Sequence, residues 1–351
     1  MKLATFRIAT PVGPFDRLGI VRLSGGDARH PTGHVVDANF AYATIAQAAG
    51  APNPTVRADA YCPADLQAYA ELYGCSLDIL DEVATWAEAE DVFADPAARS
   101  GPRGERLVYG LDEVQFRPPI RRVPVLRDFA AFEDHLQTTF AKMGLEIPAV
   151  WYERPTAFKG NPTTLYGHGE TVPWPPITEK LDYELELAAV IGAPGVDIDV
   201  ERAGDHVLGY TLLNDFSARD VQSGEMAMST GPYKGKDFAW GLGPWIVTPD
   251  EVGDPAALTM RVYVNGEVWA ESTPGEMQWT FDEVISYTSQ DERLTVGEVF
   301  GSGTVNRGCG FEIDRWIQPG DTVELEADRV GVLRHVIGQP GDTLVRWRRP
   351  S

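Results

Sequence analysis

The segment Leu181-Asp182-Tyr183-Glu184-Leu185-Glu186-Leu187-Ala188-Ala189-Val190-Ile191-Gly192 constrains this chain more than any other. Residues two apart on a strand point to one face, so Glu184 and Glu186 project together while Leu185 and Leu187 face a core. The run from Leu187 to Ile191 implies a buried strand end, where unpaired charge is costly. Two neighbouring carboxylates repel unless a cation neutralises them, and Mg²⁺ prefers such hard oxygen ligands. Alternation alone decides nothing, because Val323-Glu324-Leu325-Glu326-Ala327 repeats it and fits an ordinary solvent-facing strand. A second apolar strand, Leu208 to Leu213, delivers Asn214 and Asp215 to the polar turn Phe216-Ser217-Ala218-Arg219-Asp220-Val221-Gln222. Asp215 there either presents a carboxylate to a site or caps the helix that follows; spacing leaves both open.

The rest of the chain supports a β-rich α+β reading. Leu18 to Leu23 reads as a strand ended by Ser24-Gly25-Gly26-Asp27, and Asp37 to Gly50 as a helix. Asn265-Gly266, between Val262-Tyr263-Val264 and Glu267-Val268-Trp269, predicts a hairpin, since Asn-Gly accepts the positive φ angles of a type I′ turn. Trp279 to Ser289 predicts a short helix capped by Thr280. Gln318-Pro319-Gly320-Asp321 is a turn leading into a strand over 322–327. A proline- and arginine-rich stretch from Val114 to Pro124 marks a boundary near residue 118. The reading is a small α/β N-terminal domain over 1–117 and a β-rich domain over 118–351.

Composition narrows the function class. With 52 Asp plus Glu against 30 Lys plus Arg, the formal charge of −22 argues against nucleic acid and anionic membrane as partners. The nine carboxylates of residues 61–95, with no Lys or Arg among them, read as a solvated helix face. Cys62, Cys75 and Cys309 form neither a disulfide framework nor a zinc pattern, and Cys309 reads as a packing residue. No apolar run approaches a membrane span of roughly 20 residues. The expectation is a cytoplasmic enzyme or small-molecule binder.

Several ordered motifs together resemble the fumarylacetoacetate hydrolase superfamily, as a longer bacterial member with an N-terminal domain. They are Asp182-Tyr183-Glu184-Leu185-Glu186, Asn214 to Gln222, Lys234-Gly235-Lys236-Asp237-Phe238, Gly243-Pro244-Trp245, Gly301-Ser302-Gly303-Thr304 and Gly308-Cys309-Gly310-Phe311-Glu312. The match spans roughly residues 118–340 and is weak before them. It implies a C-terminal domain of mixed β-sheets in a roll or sandwich.

By this resemblance Glu184, Glu186 and Asp215 hold one divalent cation, Mg²⁺ first, with Mn²⁺ or Ca²⁺ as alternatives. Arg127-Asp128-Phe129 adds Asp128 as a fourth ligand, and His135, seven residues later, becomes the general base. Glu312 takes the position that orients the histidine or the water. Lys236, favoured over Lys234 by its distance from Gly231-Pro232, balances charge developing on oxygen. Arg219 and Gln222 contact the substrate's carboxylate or carbonyl oxygens, and Thr304 its other end. Arg219 also reads as an ion-pair partner of Asp220 or Asp215. Two family tyrosines are replaced here by Ala130 and Phe158, which makes fumarylacetoacetate itself a doubtful substrate.

The expected activity is metal-dependent hydrolysis of a C–C bond in an acylpyruvate or other β-diketo acid, chemistry of aromatic catabolism. The alternatives are decarboxylation or isomerisation of an oxo-dicarboxylate on the same site, and a metal-stabilised binding protein without catalysis. A small oxo acid is the expected partner, and a homodimer the expected assembly.

Overall fold

Short alternating runs broken by turn residues make strands the main element of the computed structural model, which describes residues 1–341. The backbone of the fold is a large mixed sheet. Its strands lie in the order Val108–Gly110, Pro31–Asp37, Gly13–Gly26, Lys2–Thr10, Trp240–Val247, Val207–Asp215, Leu185–Ile191, Val299–Gly301, Leu126–Phe129 and Ala157–Gly160. A five-stranded sheet packs with it, in the order Glu267–Ser272, Met260–Val264, Thr322–Ala327, Gly331–Pro340 and Thr171–Trp174. The expected hairpin is present, with Asn265 at φ 51° and Gly266 at φ 83°, the positive values that a type I′ turn requires.

Register is what brings the acidic residues together. Leu185–Ile191 runs antiparallel to Val207–Asp215, with Leu185 opposite Asn214 and Glu186 opposite Leu213. On its other side Ala188 lies opposite Gly301, and Gly301 lies beside Asp128 in the parallel pair with Leu126–Phe129. Four neighbouring strands therefore end at one level. Every residue of Leu185–Ile191 and Val207–Asp215 is buried, as the apolar runs in the sequence require.

The first 117 residues add strands to this same sheet. Lys2 and Leu3 pair with Val247 and Ile246, and Gln115–Arg117 pairs back onto Lys2–Thr10. Helices Ala38–Ala48, Pro54–Tyr61, Leu66–Tyr73 and Asp78–Ala89 cover one side. Asp37 caps the first of them by accepting from the Phe40 amide. In the acidic stretch Leu66, Tyr69 and Leu80 turn inward, into a cluster that also holds Leu213, Trp240 and Ile246. That cluster spans both sides of residue 118, so the division into 1–117 and 118–351 stands as a proposal. Thr280 caps Phe281–Thr288 through a reciprocal pair with Glu283.

Helix Glu133–Met143 ends at Gly144, which takes the left-handed φ of 70°. Lys142 near that end donates to the Phe311 carbonyl at 2.7 Å and to Asp314 at 2.7 Å. The helix that carries His135 is thereby pinned to the turn that carries Glu312. Among the described residues no helix is long and apolar enough to cross a membrane.

Candidate functional site

Asp128, Glu184, Glu186 and Asp215 form one buried cluster, with one carboxylate oxygen from each within 4.8 Å of the others. Asp215 closes its strand and does not cap the next helix: the cap position of Arg219–Met226 is Ala218, with no side-chain bond. Among the described residues, Oδ1 of Asp128, both carboxylate oxygens of Glu186 and Oδ1 of Asp215 are buried without a hydrogen-bond partner. Four carboxylates face one buried ammonium: Lys236 Nζ donates to Glu184 Oε2 at 2.5 Å and also to Asp215. Lys234 is exposed.

The second alternating strand is not solvent-facing, since Glu324 and Glu326 are both buried, but there each carboxylate has its own cations. Glu324 is answered by Arg29 and Arg334, and Glu326 by Arg261. Among the described residues no arginine pairs with Glu186. Burial raises the Glu186 carboxyl well above its ordinary value, and Asp128 and Asp215 push it further. Burial also raises Asp215 against the pull of Lys236, and Asp128 likewise. Burial works against the charge on Glu184, but Lys236, Arg219 and His135 outweigh it and hold that carboxyl low. Orphaned hard oxygens in excess of nearby positive charge are the donor set a divalent cation of the Mg²⁺ or Ca²⁺ kind takes.

Arg219 does not pair as the sequence suggested. Its partners are Asp182 and Glu184, each at 2.7 Å from Nη2, because the strand pair Leu181–Asp182 with Ser217–Ala218 sets them side by side. Asp220 instead accepts from the Thr178 hydroxyl and the Glu179 amide. Gln222 joins through Arg219, whose Nη1 donates to its Oε1 at 3.3 Å.

Asp182 is the residue that sequence reasoning missed. Fully buried, it accepts from the Gly310 and Phe311 amides at 2.9 and 3.0 Å and from Arg219 Nε at 2.9 Å. Its signal was available, since it extends the Glu184, Glu186 alternation by one more step of two. Gly301 was also undervalued: a Cβ there would stand 2.7 Å from Glu186 Oε2 and 3.1 Å from Asp128 Oδ1.

His135 Nδ1 lies 2.9 Å from Glu312 Oε2. The Arg307 amide donates to Glu312 Oε1 at 2.9 Å and Cys309 Sγ to Oε2 at 3.3 Å. Burial opposes the charge on Glu312, yet His135 and these donors hold its carboxyl below the ordinary range. Cys309 thus does more than pack. A backbone bridge between Glu184 and Cys309 ties this turn to the carboxylate cluster.

The remaining predicted residues lie around these groups. The Phe158 ring is 5.7 Å from Lys236 Nζ and 5.9 Å from the Trp240 ring. The Ala130 amide donates to the Thr156 carbonyl. Thr304 is buried in a loop whose Gly303 packs on the Phe129 carbonyl, at φ 80°.

A β-rich α+β fold around a buried carboxylate cluster consistent with a divalent metal site is that of a small-molecule enzyme family. The chain belongs to the fumarylacetoacetate hydrolase family: the family described as "Fumarylacetoacetate (FAA) hydrolase C-terminal" matches residues 124–338. It is 33% identical over 236 residues to an oxaloacetate tautomerase of Bacillus subtilis (strain 168), covering 66% of this chain and 76% of that protein. A solved probable 2-hydroxyhepta-2,4-diene-1,7-dioate isomerase from Mycobacterium abscessus is 29% identical, with a TM-score of 0.55 over 65% of this chain and 80% of that one. A fumarylacetoacetate hydrolase from psychrophilic Exiguobacterium antarcticum, 22% identical, has a TM-score of 0.65 over 96% of this chain and 99% of its own. This last likeness shows the fold, and extends it through the N-terminal strands and helices.

Proposed function

We propose that this chain is a divalent-cation-dependent enzyme that cleaves a C–C bond in an acylpyruvate or other β-diketo acid by hydrolysis. The observation that carries the reading is the His135–Glu312 pair bridged by backbone to a cluster of orphaned carboxylate oxygens. Asp128, Glu184, Glu186 and Asp215 would hold the cation, Mg²⁺, Mn²⁺ or Ca²⁺, which when bound polarises the substrate's oxo oxygens.

His135 takes a proton from water while Glu312 steadies the imidazolium. The hydroxide adds to the distal carbonyl carbon, and collapse of the tetrahedral adduct breaks the C–C bond. The electron pair passes to the methylene carbon of the pyruvate fragment, which recovers a proton from His135. Lys236, held between Glu184 and Asp215, keeps positive charge beside the reacting oxygens. Arg219 and Gln222 receive the substrate carboxylate, and Thr304 its far end. Ala130 and Phe158 replace polar groups with apolar ones, which suits an acyl chain better than a second carboxylate. A homodimer is part of the same proposal, carried by resemblance alone.

A second reading has its own support: the two relatives at 33% and 29% identity are named for tautomerisation and isomerisation. On that reading His135 moves a proton between carbon and oxygen of an oxo-dicarboxylate such as oxaloacetate, and no C–C bond breaks. The experiment incubates Mg²⁺-loaded protein in ¹⁸O-labelled water with a panel of acylpyruvates and with enol oxaloacetate. Hydrolysis puts ¹⁸O into the released acid and fails in His135→Gln. Accelerated enol loss with acylpyruvates intact would replace hydrolysis by tautomerisation, and released CO₂ would point to decarboxylation.

A further inference from the structure

Beyond the hard-oxygen cluster, the structure places three donors of a different chemical kind together. His135, Cys309 and Glu312 each offer one ligand atom, a ring nitrogen, a thiol sulfur and a carboxylate oxygen, all within 4.8 Å of one another. Cys309 is buried, and the side chains of Glu312 and His135 are 3% and 13% exposed. The N, S and O donors are those that zinc and its softer congener cadmium take, whereas Mg²⁺ and Ca²⁺ avoid thiolate. We propose that His135, Cys309 and Glu312 form a second, soft-metal site for Zn²⁺ or Cd²⁺, separate from the four carboxylates, and that its occupation blocks the enzyme.

Geometry supports the site from two directions. His135 Nδ1 is a buried atom without an aligned hydrogen bond, although Glu312 Oε2 lies 2.9 Å away. A metal entering here would displace the Nδ1 proton that faces Glu312 and take both atoms as ligands. Cys309 Sγ sits 3.3 Å from the same carboxylate oxygen, and its backbone is fixed by the bridge to Glu184. The three donors are thus carried on pinned elements: His135 on the helix Glu133–Met143, Cys309 at the cap of the short helix Gly310–Ile313 and Glu312 within it, the two helices joined through Lys142.

Two neighbours oppose a cation. Arg219 lies close enough to affect Cys309, but Asp182 and Glu184 compensate its charge at 2.7 Å each. Lys142 reaches the Glu312 carbonyl at 3.3 Å, and Asp314 compensates it at 2.7 Å. A cysteine thiol ordinarily keeps its proton at neutral pH. Metal entry therefore breaks the S–H bond, forms the S–metal bond and sends the proton to bulk solvent. The inhibitory consequence rests on His135 being the base of the proposed reaction, since a metal on the imidazole removes its proton-accepting pair. The binding itself does not depend on that reading.

The test titrates Cd²⁺ into full-length protein kept in excess Mg²⁺ and reads the thiolate-to-cadmium absorption in the ultraviolet, with calorimetry in two buffers to count protons. Wild type is expected to take one equivalent with thiolate absorption and release about one proton. Cys309→Ser keeps a hydrogen-bond donor toward Glu312 but loses the soft ligand; it should lose the absorption and weaken Cd²⁺ binding by about tenfold or more. Cys309→Ala serves the same purpose if the serine variant does not fold. Absorption that survives in either variant would assign the metal to Cys62 or Cys75 and overturn the proposal, as would its absence in wild type. Where turnover is measurable, wild type should be inhibited by micromolar Zn²⁺ and Cys309→Ser should resist it. A preparation with no turnover would strike the proposed reaction, while the absorption titration still decides the site.

Discussion

The Lys236 ammonium lies 2.5 Å from Oε2 of Glu184 and bonds Asp215 as well, a buried cation shared by two of the four clustered carboxylates. Removing one partner of a buried ion pair leaves uncompensated charge and typically costs about 3–5 kcal/mol. Lys236→Met should therefore be strongly destabilised in chelator. A divalent cation can replace the missing charge, so Mg²⁺ or Mn²⁺ should raise Tm more in the variant than in wild type. Differential scanning calorimetry with and without EDTA checks this, and equal metal-induced shifts would sink it.

Gly301 makes a steric prediction at the same centre. A Cβ there would also stand 2.6 Å from Leu213 Cδ2, besides crowding Glu186 and Asp128. Gly301→Ala should fold with a loss of about 1–3 kcal/mol, the usual cost of overpacking. Its Mn²⁺ affinity should fall more than stability alone explains, because two candidate ligands must move apart. Calorimetric titration at a temperature where both proteins are folded gives the comparison. An unchanged Kd would show that the cluster does not hold the metal in this arrangement.

Asp182 links Arg219 to the turn that carries Glu312. It accepts from Arg219 on one side and from the Gly310 and Phe311 amides on the other. Burial raises its carboxyl above the ordinary value even though Arg219 pulls it down, so the charged form depends on that arginine. Asp182→Asn keeps the shape and loses the charge. It should raise KM through a looser Arg219 and lower kcat through a displaced Glu312 turn, with activity down by about tenfold or more. Asp182→Glu should not rescue it, since the longer side chain cannot keep all three hydrogen bonds of a fully buried carboxylate. A variant with wild-type kcat and KM would reduce Asp182 to a folding residue.

How much of this was legible follows from the kind of signal each residue gives. Glu184, Glu186 and Asp215 sit at the ends of apolar strands, where period and hydrophobicity are both visible in the chain. His135 and Glu312 are separated by 177 positions, and nothing local says that they meet. Only the ordered family motifs made that expectation, and the 2.9 Å contact is where the structure puts it. The true partners of Arg219 were missed because a two-residue strand pair, Leu181–Asp182 with Ser217–Ala218, is too short to carry a pattern. The continuity of the sheet across residue 118 was equally hidden. Strand pairing such as Leu3 with Ile246 is non-local, and turn residues mark where a strand ends, not what it pairs with.

His335 supplies the last prediction, one of pH. It is fully buried, both ring nitrogens lack a hydrogen-bond partner, and its ring packs edge-on against Phe216 at 5.4 Å. Burial, helped by the nearby His168, lowers its proton affinity to a pKa of about 3. In the unfolded chain a histidine titrates near about 6.5. Between these values the unfolded state holds a proton that the native state refuses. The native advantage is complete above about pH 6.5 and shrinks as pH falls, by about 1.4 kcal/mol per pH unit, until the native ring itself titrates. His335→Asn removes this titration, whatever the smaller side chain costs in packing. Urea unfolding at pH 7, 6 and 5 should give a stability-versus-pH slope lower in the variant by about one proton at the acid end. Parallel slopes for the two proteins would mean that His335 is already charged, or reached by water, in the native fold.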